Sequence, residues 1–292
     1  MRSILLLLLF SSVATSAEPV VSRNINYAGT NNIRQTLDVY AAKDGKQQPV
    51  VIWLHGGGWR RGNKILVQQK PQAFVDQGYV FVSINYRFTP EFTMSDLATD
   101  VATAVKWVTE NIDKHGGSPE IIFIGGHSAG AHLSALVSTD ERYLKAQGLS
   151  LVTLKGCFPV DTATYDCGKL VSGLKLLRSN RVSLYTNAFG EETASQQKYS
   201  PITHLQKGTD YPDFLLLFCE SRRDATLAAN YFVKAIQQVG GTAETYAAPG
   251  KDHASINNDL GIEGDETTKV LFAFLNKRIE AAKQTGNVNS PK

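Results

Sequence analysis

The stretch "IIFIGGHSAGAHLSALV", residues 121–137, passes from an apolar, β-branched run into a run of small residues, with one serine between two glycines. The apolar run predicts a buried strand, and the small residues are typical of a helix that packs closely against a sheet. Ser128 then stands on a tight turn between strand and helix. It is either an inert turn residue or an exposed nucleophile, and the neighbouring segments bear on that choice.

Five apolar runs predict buried strands, because they alternate too little between apolar and polar residues to face water on one side. They are "PVVIWLHG", "VFVSINYR", "EIIFIGG", "LVTLKGCF" and "DFLLLFCE". Segments with helical spacing of apolar residues lie between them, including "DLATDVATAVKWVTENI" and "ATLAANYFVKAIQQVG". This alternation predicts an α/β fold with a mainly parallel central sheet and helices on both faces. Near the N-terminus, "IRQTLDVYAA" alternates and predicts an antiparallel edge strand.

Residues 1–17, "MRSILLLLLFSSVATSA", have the order of a secretory signal: an early arginine, a short apolar run and small residues. A run this short does not span a bilayer. We expect cleavage near Ala17 and a secreted or periplasmic protein without a stable membrane anchor.

Residues 18–292 contain no linker and predict one domain. Within it, residues 158–207 form an irregular excursion of the kind that builds a lid or pocket wall.

The charge and motif content restrict the partners of this chain. A formal net charge of +3, dispersed along the sequence, argues against a nucleic-acid or membrane-surface partner and favours a small, neutral substrate. No metal-binding motif occurs at ligand spacing, and no G-x-G-x-x-G or P-loop follows a strand, so we expect neither a metal nor another cofactor. The sequence carries no indication of the oligomeric state.

Export implies an oxidising compartment, in which cysteines form disulfides. Cys157 and Cys167 lie ten residues apart in a predicted loop and are candidates for a bridge. Cys219 lies in the apolar run "FLLLFC" and is interpreted as a buried thiol.

The residues that follow the strands carry the candidate chemistry, because ligands bind at the carboxyl ends of strands in parallel sheets. "HGGGW", residues 55–59, offers backbone N–H groups without side chains in the way, which suits an oxyanion hole. The form Gly126-His127-Ser128-Ala129-Gly130 matches a nucleophile turn, whose flanking glycines leave room for neighbouring backbone.

A nucleophilic serine needs a base, and the base needs a carboxylate to orient it. In this architecture the chain order is serine, acid, histidine. His253, in the loop "KDHASINND", is the candidate base. Asp224, which follows "DFLLLFCE", is the candidate acid, and Glu220 at the strand end is the alternative.

With "HGGGW", "GHSAG", Asp224 and His253 in this order, the chain resembles the α/β-hydrolase fold serine esterases. The likeness is strongest to the HGGG branch of hormone-sensitive-lipase-like carboxylesterases and to small secreted esterases of acetylated or feruloylated carbohydrates. It runs from about residue 24 to residue 282. The resemblance implies that Ser128 is the nucleophile, Asp224 the acid and His253 the base. It also implies that the oxyanion hole is formed by the amides of Gly57, Gly58 and Ala129.

The resemblance also implies an ion pair between Arg87 and Asp100. The N-terminal segment is too short and too strand-like for the helical cap of the lipase-like members, so we expect little or no cap. Five residues near the strand ends are candidates for substrate binding: Trp59, Phe88, Phe158, Asp161 and Tyr165.

The predicted function is that of a secreted serine carboxylesterase, which hydrolyses small or carbohydrate-linked carboxylic esters through an acyl-enzyme on Ser128. Two alternatives remain. Arylformamidases carry an HGG-x-W turn and the same triad order, so an amidase is one of them. The other is a non-catalytic binding protein on a hydrolase fold.

Overall fold

The computed structural model describes residues 18–288, so the predicted signal sequence lies outside the described residues. The strands are β1 (Val20–Asn26), β2 (Thr36–Ala41), β3 (Gln48–Leu54), β4 (Val80–Ile84), β5 (Gly117–His127), β6 (Leu154–Val160), β7 (Asp213–Cys219) and β8 (Ala243–Ala248). The helices are α1 (Lys70–Asp76), α2 (Met94–Asn111), α3 (Ala129–Val137), α4 (Glu141–Lys145), α5 (Cys167–Leu176), α6 (Val182–Phe189), α7 (Thr193–Lys198), α8 (Arg223–Gln238), α9 (Ser255–Asn258) and α10 (Glu266–Val288).

The eight strands form one sheet in the order β1-β2-β4-β3-β5-β6-β7-β8. From β4 to β8 every neighbouring pair is parallel, whereas β2 is antiparallel to both β1 and β4. All five strands predicted from apolar runs are present. The predicted fold class, a mostly parallel sheet in an α/β domain, is confirmed.

The prediction for "IRQTLDVYAA" is only half correct. Its strand, β2, is antiparallel, but it does not lie at the edge, because β1 pairs along its outer side. Leu37 and Val39 of β2 are consequently buried. β1 has the sequence "VVSRNIN" and is largely exposed. It has too few apolar residues to give a strand signal.

Apolar side chains bury both faces of the sheet. Leu97, Val101 and Val105 of α2 belong to one core cluster with residues of α3 and α8. Phe74 of α1 and Leu275 of α10 belong to the cluster on the other face. Burying one such side chain contributes about 1.5–3 kcal/mol, so the two clusters hold the helices against the sheet and fix the strand ends that carry the site.

The ion pair implied by the resemblance is present. Asp100 is buried and accepts hydrogen bonds from the Arg87 guanidinium, at 2.8 Å from Nη2, and from the Arg87 backbone N–H. This pair ties the segment after β4 to α2.

The candidate disulfide is not formed, since Cys157 and Cys167 are both free and buried. Cys157 lies inside β6, whereas Cys167 begins α5, where its thiol lies 3.2 Å from the Tyr199 carbonyl oxygen. Burial raises the pKa of the Cys157 thiol to about 12. Cys219 is a buried free thiol, as predicted.

Buried histidines give the folded state a dependence on pH. Burial lowers the pKa values of His55 and His132 to about 4. Unfolded histidines bind protons below about pH 6.5, so between pH 6.5 and 4 the unfolded chain holds more protons, and the free energy of unfolding falls as pH falls. We expect His132→Asn to reduce that slope by about 0.9 kcal/mol per pH unit on average between pH 7 and 5. Urea unfolding at pH 7, 6 and 5 measures it, and equal slopes in both proteins contradict the prediction.

Candidate active site

Ser128 occupies the one-residue turn between β5, which ends at His127, and α3, which begins at Ala129. Its backbone has φ 55° and ψ −112°, a conformation that is costly for a residue with a side chain. Its N–H donates to the Val160 carbonyl oxygen on β6 at 2.9 Å. This strained turn places Ser128 in the wall of a cleft at the carboxyl ends of the strands.

The two flanking glycines are required by close backbone packing. A Cβ at Gly126 would lie 2.7 Å from the Leu54 carbonyl oxygen, and a Cβ at Gly130 only 2.3 Å from it. The end of β3 therefore leaves no space for a side chain on either side of Ser128. The steric reason predicted for the Gly-x-Ser-x-Gly form holds at both glycines.

His253 and Asp161 complete a hydrogen-bonded chain with Ser128. The Ser128 hydroxyl oxygen lies 3.1 Å from His253 Nε2, and His253 Nδ1 lies 2.6 Å from Asp161 Oδ2. His253 stands in the loop after β8, as predicted. Asp161 directly follows β6, and its side chain is fully buried.

The surroundings of Asp161 favour its ionised form. Burial alone would raise its pKa, but hydrogen bonds from His253 and the Cys219 backbone N–H, together with the Arg222 guanidinium, more than reverse this effect. The pKa of Asp161 lies well below the ordinary range of an aspartate. Asp161 is therefore a carboxylate at neutral pH.

The prediction that Asp224 is the partner of His253 is wrong. Asp224 lies in the first turn of α8, and its carboxylate accepts from Arg222 Nη2 at 2.7 Å. Within residues 18–288, no hydrogen bond joins His253 to Asp224 or to the alternative, Glu220. Arg222 stands between Asp224 and the histidine, and Asp161 from the neighbouring strand takes the place predicted for Asp224.

Two residues at the site were not assigned a role from the sequence. Arg222 Nη1 lies 2.6 Å from Asp161 Oδ2 and 2.8 Å from His253 Nδ1. A guanidinium donates hydrogen bonds and cannot accept them. When His253 bonds to the carboxylate, its Nδ1–H and the Arg222 guanidinium therefore both donate to Asp161.

His127 holds the loop from the other side, with Nε2 at 2.8 Å from the His253 carbonyl oxygen. Burial and the nearby His253 lower the pKa of His127 to about 3, so it remains neutral.

The glycine turn lies beside the serine. Gly57 and Gly58 have φ values of 128° and 62°, and a Cβ at Gly57 would lie 2.0 Å from the Arg61 carbonyl oxygen. Both glycines and Ala129 line the cleft that holds Ser128. Ala129 is the first residue of α3, so its N–H has no acceptor within the helix.

The cleft has a volume of about 720 Å³. Trp59 lines it, and its role in substrate binding stays a prediction. Leu184 and Tyr185 of α6, which belongs to the excursion of residues 158–207, also line it, and Leu184 lies next to Gly58 of the glycine turn. Trp59 meets this excursion edge-on, with its ring centroid 4.8 Å from that of Phe189.

Three other predicted substrate-binding residues pack away from the cleft. Phe158 stacks on Trp53 within the core, and Tyr165 stacks on Phe232 with ring centroids 4.4 Å apart. The Arg34 guanidinium lies over the Phe88 ring, with its central carbon 4.3 Å from the ring centroid. None of the three lines the cleft among the described residues. Asp161, the fifth candidate, instead contacts His253.

The ligand atoms of His127, Asp161 and His253 lie within 4.8 Å of one another, close enough to surround a metal ion. However, Asp161 Oδ2 is shared between the imidazole and the Arg222 guanidinium. A guanidinium so close opposes a cation at this point, and the cluster suits proton transfer better than metal binding.

Among residues 18–288, no helix combines the length and apolar character that crossing a bilayer requires.

The sheet order, the serine turn after β5 and the Ser128–His253–Asp161 chain define an α/β-hydrolase. Residues 37–225 match the BD-FAE family. The chain belongs to this family, and the resemblance to α/β-hydrolase esterases predicted from the sequence is confirmed.

Among curated proteins, the chain is 30% identical over 287 residues to esterase LipQ of Mycobacterium tuberculosis, covering 90% of this chain and 65% of LipQ. It is 31% identical over 255 residues to isoprenylcysteine alpha-carbonyl methylesterase ICME of Arabidopsis thaliana, covering 81% of this chain and 57% of ICME. The chain thus spans less than two thirds of either relative.

Among solved structures, esterase B of Lactobacillus rhamnosis superposes with a TM-score of 0.77 at 21% identity, covering 93% of this chain and 90% of esterase B. A truncated carbohydrate esterase from gut microbiota gives a TM-score of 0.74 at 19% identity, covering 91% and 98% of the two chains. At these identities the superpositions show the shared fold.

Proposed function

We propose that this protein is a secreted serine carboxylesterase that hydrolyses small or carbohydrate-linked carboxylic esters through an acyl-enzyme on Ser128. The observation that carries the proposal is the hydrogen-bonded chain from the Ser128 hydroxyl through His253 to the buried Asp161 carboxylate. The esterase names of LipQ and ICME support the reaction class.

In the first step, neutral His253 removes the Ser128 proton through Nε2 while the hydroxyl oxygen attacks the ester carbonyl carbon. The Asp161 carboxylate accepts from Nδ1–H, which leaves the lone pair on Nε2 facing the serine at 3.1 Å. As the imidazole becomes a cation, the same carboxylate stabilises it.

The negative charge that develops on the carbonyl oxygen is stabilised by the backbone amides of Gly57, Gly58 and Ala129, which line the same cleft. Losing one such donor costs about 3 kcal/mol of transition-state stabilisation. The Gly57 carbonyl oxygen accepts a hydrogen bond from the Arg60 N–H at 3.3 Å, which helps to hold the glycine turn in place.

The tetrahedral intermediate collapses when His253 gives its proton to the alcohol oxygen, which leaves the acyl group on Ser128. A water molecule then repeats the attack, again with His253 as the base, and releases the carboxylic acid. A cleft of about 720 Å³ is in the size range of sites for small organic ligands and suits an aryl or a single sugar group. The gut carbohydrate esterase of the same fold supports the second substrate class.

Secretion is part of the proposal and rests on residues 1–17, whose arginine, apolar run and small residues have the order of a secretory signal.

Labelling with a fluorophosphonate tests the reaction class. We expect one equivalent of the probe to modify Ser128, identified by peptide mass spectrometry, and hydrolysis of 4-nitrophenyl acetate to decline in proportion to labelling. Fully labelled protein that still hydrolyses the ester contradicts the proposal. Faster turnover of an N-formyl arylamine than of the matched aryl ester would favour the amidase alternative, and absence of both labelling and turnover would favour a binding protein.

A further inference from the structure

The cleft around Ser128 carries an uneven distribution of charge. Its lining residues include four arginines, and neither an aspartate nor a glutamate is among them. They come from three separate segments: the stretch after the glycine turn (Arg60 and Arg61), the start of α6 (Arg181) and the turn after β7 (Arg222). The net charge of the whole chain is only +3, so this concentration is local to the cleft.

One of the four charges is neutralised. Arg222 pairs with Asp161 at 2.6 Å and with Asp224 at 2.7 Å. The three charges of this group sum to −1 and belong to the structure that holds His253. Arg222 is therefore not available to bind a substrate anion.

The other three arginines have no carboxylate partner within 4.0 Å among residues 18–288. All three are exposed. Arg181 donates from Nη2 to the Tyr185 hydroxyl at 2.8 Å, and Tyr185 itself lines the cleft. Arg61 supplies the carbonyl oxygen that packs against Gly57, so it stands directly beside the glycine turn. Three arginines without a carboxylate partner among residues 18–288 thus line the cleft that holds Ser128.

Unpaired guanidinium groups in a concave site favour an anionic ligand. A guanidinium matches a carboxylate in geometry, with two parallel N–H···O bonds, and a cleft of one charge sign raises the local concentration of the opposite ion. We propose that the ester substrate carries a carboxylate besides its ester group, and that Arg60, Arg61 and Arg181 bind this carboxylate. This inference rests on the proposed function and names its substrate class.

The carboxylate can belong to the acyl part or to the alcohol part of the ester, and two pairs of substrates separate these sources. On the acyl side, mono-4-nitrophenyl glutarate is compared with 4-nitrophenyl pentanoate, which has the same number of acyl carbons and no charge. On the alcohol side, 4-acetoxybenzoate is compared with 4-acetoxybenzamide. Intrinsic reactivities differ within a pair, so the quantity compared is the charged-to-neutral ratio of kcat/KM in different variants of the protein.

In Arg60→Gln/Arg61→Gln/Arg181→Gln, we expect that ratio to fall at least roughly tenfold for one of the two pairs, chiefly through KM. The matched control removes three exposed basic residues outside the cleft, Arg178→Gln/Lys207→Gln/Arg223→Gln, and keeps the wild-type ratio. Because the attraction is electrostatic, the wild-type ratio should also fall between low and 0.5 M salt. The pair that responds identifies which part of the ester carries the carboxylate.

If the ratios are equal in the wild type and the cleft variant and do not depend on salt, this inference is overturned. Hydrolysis of the neutral esters in the same experiment would leave the proposed function intact. An equal fall in the control variant also overturns it, since the effect would then come from overall charge. If no ester of either pair is hydrolysed and Ser128 is not labelled, the proposed function fails, and the inference fails with it.

Discussion

Ser128→Ala is expected to lower kcat for 4-nitrophenyl acetate on the order of 10⁵- to 10⁶-fold, because the variant cannot form the acyl-enzyme. Loss of the nucleophile in serine hydrolases typically removes about that factor, while residual acceleration comes from the oxyanion hole and substrate binding. KM should change far less, since the cleft walls are untouched. The substitution removes only a hydroxyl that contacts His253 at 3.1 Å, so the fold should be preserved.

The measurement is a steady-state assay of purified variants, with Ser221→Ala as the control. Ser221 is an exposed serine in the turn after β7, and within residues 18–288 its hydroxyl makes one hydrogen bond, to the Lys251 carbonyl oxygen at 3.4 Å. We expect the control to retain wild-type activity. A Ser128→Ala protein with activity close to that of the control contradicts an acyl-enzyme on this residue.

The fold could be predicted in its central part from apolar patterns alone. β3 to β7 are nearly continuous apolar runs, because parallel strands are buried on both faces. The antiparallel end was harder to predict. β1 is largely exposed and has little apolar periodicity, so β2 was predicted to be the edge strand. An edge strand depends on backbone pairing with its neighbour more than on its own side chains, and single-sequence patterns do not show that pairing.

Two of the three residues in the hydrogen-bonded chain could be predicted for a similar reason. Ser128 and His253 each follow a strand or strand-like run, and their chemistry is specific. The acid was less certain, since Asp161 and Asp224 both follow apolar strands and the chain order serine, acid, histidine allows either. A signal for Asp161 was present: it directly follows β6, the strand adjacent to that of Ser128. The structure shows in addition that Arg222 separates Asp224 from His253.

The substrate-binding candidates were mostly wrong, for another physical reason. Phe158 and Tyr165 are large aromatic residues near strand ends, but both are buried in ring stacks with the core. Proximity in sequence to a strand end does not determine which face a side chain takes, since successive residues point to opposite faces. The arginines of the cleft gave no sequence signal because they come from three distant segments.

Asp161→Asn is expected to lower kcat about 10⁴-fold while KM changes little. An asparagine cannot stabilise the imidazolium, and its amide can donate to Nδ1, which places the proton on Nε2 and leaves no lone pair facing Ser128. Asp161 is fully buried and does not line the cleft, so it has no direct contact with substrate. The loss should therefore appear in kcat alone.

Asp224→Asn is the matched control, since it makes the same chemical change on a carboxylate that also pairs with Arg222. Its carboxylate is 40% exposed, and a pair of this kind contributes about 0–1 kcal/mol, so we expect kcat to remain within roughly fivefold of the wild type. Circular dichroism and thermal unfolding would verify that both variants are folded. A loss in Asp224→Asn as large as that in Asp161→Asn, or a retained kcat in Asp161→Asn, would show that Asp161 is not the acid. If kcat falls only in Asp161→Asn, then Asp161 orients His253, and Asp224 serves only to hold Arg222.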